Sequence, residues 1–219
     1  MSLNIELARR NMVEQQVRPW EVLDSRVLEA LSAIRREDFV PPAFRNLAFA
    51  DLALPLGHDE VMMKPVVEGR VLQAVAPTRE ERVLEIGTGS GFLTACLARL
   101  SGEVVSVEQH ADFADAARTR LHATRIANAR VEVADAVQKF VPSGAFDAVV
   151  VTGAVYELPR HWREWVKPGG RLFAIIGESP AQSAMLYTRG AGADWHEEAL
   201  FETDLPYLYN AAPPKRFTL

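Results

Sequence analysis

From Arg82 onward the chain settles into a repeating texture, short apolar runs separated by stretches with helical spacing. RVLEI (82–86), EVVSVE (103–108), ARVEVAD (129–135), FDAVVVTG (146–153) and RLFAIIGE (171–178) read as strands. Their apolar character is nearly continuous, which is the mark of strands covered on both faces. GFLTACLARL, ADFADAARTRLHA and PRHWREWV lie between most of them and read as helices. Such alternation predicts βαβ units and a largely parallel sheet. The stretch 183–203, SAMLYTRGAGADWHEEALFET, differs: two strand-like runs flank Gly190-Ala191-Gly192 and predict an antiparallel hairpin at the sheet edge.

The first third of the chain has another pattern. LNIELARRNMVEQQV (3–17) is moderately amphipathic, and Arg18-Pro19-Trp20 breaks it. Asp24 caps a second helix, DSRVLEALSAI, in which Val27, Leu28, Leu31 and Ile34 follow helical spacing. Pro41, Pro42, Pro55 and Gly57 mark a long connection, the kind that in a compact domain is often functional. Pro65 suits the first turn of a further helix, PVVEGRVLQAVA. The expected class is α/β: a Rossmann-like, doubly wound, mostly parallel sheet with an antiparallel edge hairpin and an N-terminal helical extension. Residues 1–80 form the extension and substrate-side loop, 81–210 the ligand-binding part of the same domain, and 211–219 a tail. That proline-rich end, NAAPPKRFTL, reads as a loose end or as a cover over the groove.

Bulk properties narrow the chemistry. The 219 residues suffice for one substantial core. A formal charge of −5 argues against general nucleic-acid binding, which needs a basic excess. The arginines of RTRLHATRIANAR (118–130) read as a solvated helix face. The single cysteine, Cys96, excludes an intramolecular disulfide and a cysteine-cluster metal site, and its helical neighbours make it a packing thiol. No metal is expected. Neither a secretory h-region nor a run of about 20 apolar residues is seen, so the reading is a cytoplasmic enzyme without membrane partners.

The candidate chemistry sits in VLEIGTGSGFLT (83–94), where Gly87, Gly89 and Gly91 turn the first strand into its helix. Open α/β sheets bind ligands at that end. The spacing is G-x-G-x-G; a dinucleotide fingerprint needs G-x-G-x-x-G, and its third glycine position here is Phe92. Glu85 beside the loop would repel a pyrophosphate by about 1 kcal/mol or more. S-adenosylmethionine inverts that logic, since it carries an ammonium and a sulfonium and no phosphate. Glu108 ends the second strand 21 positions after Gly87, where an acid meets ribose hydroxyls. Asp135 ends the third strand, either at the adenine edge or as the N-cap of AVQKF. Asp147 opens the fourth, as a ligand contact or as a capping acid. VKPGGRL (166–172) reads as a helix stop, a turn and a strand, without a ligand.

With these residues in place, the chain resembles the class I S-adenosylmethionine-dependent methyltransferases, and within them the protein-L-isoaspartate O-methyltransferases. The resemblance runs from about Arg9 to Tyr209. VLEIGTGSGFLTACLA resembles that family's cofactor loop, FDAVVVTGAVYELP its fourth strand and following loop, RLFAIIGE its fifth strand, and REDFVP with AFADLALPLGH its entrance segment. It implies S-adenosylmethionine as cofactor and S-adenosylhomocysteine as product. The cofactor residues it implies are Glu85, Gly87, Thr88, Gly89, Gly91, Glu108, Asp135, Ala136 and Thr152. On the substrate side it implies His58, Val61, Met62, Gly153, Ala154 and Val155, with His58 making a loop hydrogen bond.

One stretch departs from the family. Its run ending Gln-Thr-Ile-Ser is replaced in GHDEVMMKP by Glu60-Val61-Met62-Met63, with Pro65 kept. The serine that meets the isoaspartyl carboxylate is thus Met63, a thioether that donates nothing and accepts poorly. Met62 reads as packing. Three functions stay open: methylation of isoaspartyl carboxylates in damaged proteins, methylation of a small-molecule acceptor such as a quinone precursor or another acid, and cofactor binding without turnover. The fourth-strand loop TGAVYELP has no Asn-Pro-Pro-Tyr-type sequence for a planar amine, which sets nucleic-acid methylation last.

Overall fold

The computed structural model describes residues 4–214; the final residues of the tail, 215–219, lie outside the described residues. Two helices open the chain, α1 (Ile5–Asn11) and α2 (Ser25–Ala33), the latter capped by Asp24, whose side chain accepts from the Arg26 amide. A hairpin of β1 (Leu54–Gly57) and β2 (Glu60–Met62) follows, then α3 (Pro65–Val75) with its proline at the first turn. The alternating part comprises β3 (Arg82–Ile86), α4 (Phe92–Leu100), β4 (Glu103–Glu108), α5 (Ala111–Ala123), β5 (Ala129–Val133), β6 (Phe146–Val155) and β7 (Val166–Ile176). An edge hairpin, β8 (Gln182–Arg189) and β9 (Trp195–Thr203), ends it.

The seven strands lie in the order β5-β4-β3-β6-β7-β8-β9, parallel through β7 and antiparallel beyond. Side chains alternate across the sheet, so successive residues of one strand enter different cores. Val83, Val104, Ala148, Val150 and Phe173 face a cluster shared with the N-terminal helices and α4. Leu84, Val105, Val149, Leu172 and the tryptophans 162 and 165 form the cluster on the other face. Each fully buried aliphatic or aromatic side chain stabilises the fold by about 1.5–3 kcal/mol, so the N-terminal segment is held by what it buries against the sheet.

The differences from expectation are local. The helix anticipated over 3–17 is α only to Asn11; Met12–Val17 widens into a π-turn and Arg18–Trp20 tightens before Glu21 takes a left-handed φ of 62°. PRHWREWV forms a tight turn over Arg160–Trp165 in place of an α-helix. AVQKF makes a turn only. In VKPGGRL the strand already begins at Val166, with a register shift that absorbs Pro168, which has no amide hydrogen to donate. The 41–65 connection contains the β1–β2 hairpin, which was not anticipated because each strand has four residues or fewer.

Candidate functional site

The chain leaves β3 toward β4 and β5 on one side and returns to β6 on the other, so a crevice opens between the carboxyl ends of β3 and β6. Doubly wound sheets bind ligands at this switch point. A cleft open to solvent lies there. Its floor is Ile86, Gly87 and Gly89. One side is Glu108, Gln109, His110 and Phe113, another is Ala134 to Val137, and the hairpin closes it with Leu56, Glu60 and Val61.

Gly87 has φ 97°, and a Cβ there would run into Thr152 Oγ1. The turn therefore needs glycine for conformation and for room. Thr152 Oγ1 lies 2.9 Å from the Ile86 carbonyl and 2.5 Å from that of Gly87, joining the ends of the two strands. β6 supplies this residue through an irregularity: Val150 pairs with Phe173 and Ala154 with Ile175, so two extra residues bulge from β6. Bulges re-aim side chains beside functional sites, and this one brings Thr152 and Gly153 to the cleft wall. At Gly91 a Cβ would sit 3.1 Å from the Ala117 Cβ, so this glycine lets α5 approach and lies off the cleft.

Glu108 bridges the loop and the next helix. Oε2 accepts from the Gly89 amide at 2.8 Å and Oε1 from the His110 amide at 2.9 Å, and the carboxylate still lines the cleft. Asp135 takes the capping role and also stands in the cleft wall. Oδ1 accepts from the amides of Val137 and Gln138, capping the turn, while the residue lines the cleft and Oδ2 accepts from Asn210 Nδ2 at 2.8 Å. Ala136 lies beside it, its carbonyl taking the Trp162 indole proton. Asp147 takes only its structural role, accepting from the Arg82 amide and from Lys167.

Glu85 is not where the sequence suggested. It does not line the cleft; it is fully buried beneath the turn, where Oε2 accepts from Ser106 Oγ at 2.6 Å and Thr94 Oγ1 at 2.5 Å. Its Oε1 finds no partner among the described residues. Burial pushes this carboxyl up to about 7, against the two hydroxyls and with a small push from Glu108. The acids that face the cleft are Glu60, Glu108 and Asp135, and none of the described residues lining it is Lys or Arg. Burial, then Glu108 and Asp59, holds the Glu60 carboxyl above the usual range.

A smaller cavity adjoins through Leu56, Val61, Gly87, Gly89 and Thr152, and its remaining wall includes Met62, Met63, Glu68 and Thr88. Thr88 Oγ1 meets Ser106 Oγ at 2.5 Å. Both methionines are buried, Met62 as packing and Met63 with 6% of its surface exposed. The Met63 carbonyl is pinned by Arg36 Nη2 at 2.7 Å. Arg36, wholly buried, also donates to the Ala48 carbonyl and to Glu68, and lies 4.9 Å over the Phe92 ring. Burial raises the Glu68 carboxyl to about 8, although Arg36 beside it pulls the other way; the two side chains lie at ion-pair distance.

Ala154 and Val155 do not reach either cavity. They pair with Ile175 and Ile176, and the Ala154 amide and carbonyl are taken by residues 206 and 208. That C-terminal strap supplies Leu208 and Tyr209 to the cleft, which no local signal in the sequence marked. His110 and Phe113 were also missed, although they follow Glu108 directly and the strand end placed them within reach. His58 lines neither cavity, against the substrate-side expectation; its hydrogen bond runs from the β1–β2 turn to Asp112 of α5 at 3.0 Å.

Comparison with known proteins agrees with this geometry. The family model for protein-L-isoaspartate(D-aspartate) O-methyltransferase matches residues 8–203. Proteins named protein-L-isoaspartate O-methyltransferase from Burkholderia mallei and Burkholderia thailandensis are 38% identical over 202 residues, covering 91% of this chain. The chain spans 62% of the length of these relatives. A Plasmodium falciparum structure of that name, in complex with S-adenosyl-L-homocysteine, superposes with a TM-score of 0.79 at 18% identity, covering 95% of this chain and 99% of its own. A second structure named protein-L-isoaspartate O-methyltransferase gives 0.78 at 24% identity, covering 93% of this chain and 66% of its own. These two likenesses speak for the fold, and the match over 8–203 decides the relationship: the chain belongs to the protein-L-isoaspartate(D-aspartate) O-methyltransferase family.

Proposed function

We propose that this chain is an S-adenosylmethionine-dependent O-methyltransferase that esterifies the carboxylate of isoaspartyl residues in damaged proteins. The observation that carries the reading is the cleft itself, lined by three acids and, among the described residues, by no lysine or arginine. A diphosphate would meet uncompensated carboxylates there, whereas a ligand with an adenosine end and a cationic end is favoured. On this reading Glu108 takes the ribose hydroxyls, Asp135 and Ala136 the adenine edge, and Gly87 and Gly89 allow close approach of the backbone. Bound there, S-adenosylmethionine supplies an electrophilic methyl group on positively charged sulfur.

The chain's own residues have a limited task. An acceptor carboxylate has a pKa near 4, so it arrives ionised and no general base is required. Val61, Met63, Thr152 and Gly153 would exclude water from it and hold one oxygen in line with the methyl carbon. Alignment of that kind lowers a barrier by about 7–11 kcal/mol in favourable cases. The names carried by the Burkholderia relatives support the isoaspartyl acceptor. Protein or peptide chains are then the partners, in a cytoplasmic setting; no helix among the described residues is long and apolar enough to cross a membrane.

Met63 favours a second reading. Its buried thioether stands in the wall of the smaller cavity where a hydroxyl would have met the substrate, and this suits a less polar, small-molecule acid. The test uses tritiated S-adenosylmethionine with an isoaspartyl peptide and its aspartyl twin. Base-labile methyl ester on the first alone is expected. Equal counts on both would remove the isoaspartyl assignment.

A further inference from the structure

One cluster of metal-ligating side chains is left unused by methyl transfer. His58, in the β1–β2 turn, stacks on His110, the residue that opens α5, with ring centroids 4.1 Å apart and planes 6° from parallel. Phe113, in the first turn of α5, sets its edge against both rings at 5.2 and 5.4 Å. Asp112 Oδ2 is 3.0 Å from His58 Nε2. One donor atom from each of His58, His110 and Asp112 falls within 4.8 Å of the other two.

The β1–β2 connection fixes where His58 stands. His58 and Asp59 take φ 51° and 61°, as the two central residues of a two-residue hairpin turn require. The local field also suits a cation. Asp59 and Glu60 follow His58 directly in the turn, and Glu108 stands two residues before His110. These acids, with Asp112, offset the partial positive charge at the start of α5.

We propose that His58, His110 and Asp112 form a site for a divalent transition ion of the zinc class, which ties the β1–β2 turn to the start of α5. Two imidazoles and a carboxylate are a borderline-soft donor set that zinc accepts, with a fourth position left for water. His58 and Asp112 are exposed at the surface, so rotation of their side chains can bring the donors to about 2.0–2.2 Å from one ion. The hydrogen bond now joining them marks where the metal replaces a shared proton. Both tied elements line the cleft, through Leu56 and Glu60 on one and Phe113 on the other. Metal binding therefore stiffens its rim. Sequence reading gave no hint of this, since His58 and His110 are far apart in the chain and form no spaced motif. The inference does not depend on which acceptor is methylated.

The test is calorimetric titration of the full, tag-free chain with Zn²⁺ at about pH 7.5, where an ordinary imidazole is neutral. One equivalent should bind. His58→Ala and His110→Ala should each weaken it by roughly tenfold or more, while His161→Ala, at an exposed position elsewhere, should leave it unchanged. Co²⁺ should give the visible absorption of a low-coordinate nitrogen–oxygen site in the natural chain and lose it in His58→Ala. Unchanged far-ultraviolet dichroism checks that the variants are folded. Absence of saturable Zn²⁺ binding, or binding that survives both substitutions at full strength, overturns the proposal.

Discussion

At the residue scale two side chains carry the account's sharpest consequences. Met63 removes a hydroxyl from the wall of the smaller cavity. Met63→Ser is expected to raise kcat/KM on an isoaspartyl peptide by about ten- to a hundredfold, the worth of a hydrogen bond to a charged group. Methylation confined to the variant would move the natural acceptor to a small acid. Glu85 makes a different prediction, about stability. Burial raises its carboxyl to about 7 in the folded chain, from an ordinary value of 4.5. The folded value is the higher one, so its stabilising effect is complete below about pH 4.5 and is lost as pH rises to about 7. The loss is of the order of 3 kcal/mol. Urea midpoints measured across that window should fall with pH in the natural protein and fall less in Glu85→Gln. Equal slopes would contradict the assignment.

At the element scale, what positions the site is the set of joints between elements. Arg36 precedes the hairpin in sequence yet holds the Ala48 and Met63 carbonyls and Glu68 of α3 together. Arg36→Met should cost about 3–5 kcal/mol in urea unfolding because it strands a buried carboxylate, and Arg36→Met/Glu68→Met should recover most of that. A double variant as unstable as the single one would show the pair to be indispensable for another reason. These joints also separate what the sequence disclosed from what it hid. The parallel strands, the glycine turn, Glu108 and the edge hairpin were legible because periodicity and local spacing determine them. The β1–β2 hairpin, the bulge at Thr152 and the strap carrying Leu208 and Tyr209 were not, since they are set by pairing between distant residues. Glu85 was misplaced for a related reason: a strand residue one position from the turn points to whichever face the sheet register dictates. Ala154 and Val155 failed similarly, because β6 runs on past the bulge and stays paired.

At the scale of the whole molecule, the fold brings three acids and a glycine turn to one crevice whose described walls hold no lysine or arginine. On the proposed function, the smaller cavity with Met63 selects the acceptor, and the crevice selects the donor. Calorimetric titration with S-adenosylmethionine, S-adenosylhomocysteine and NADH addresses that directly. The account predicts saturable one-to-one binding of both adenosyl sulfur compounds and none of NADH. Retention of NADH with neither sulfur compound bound would contradict it.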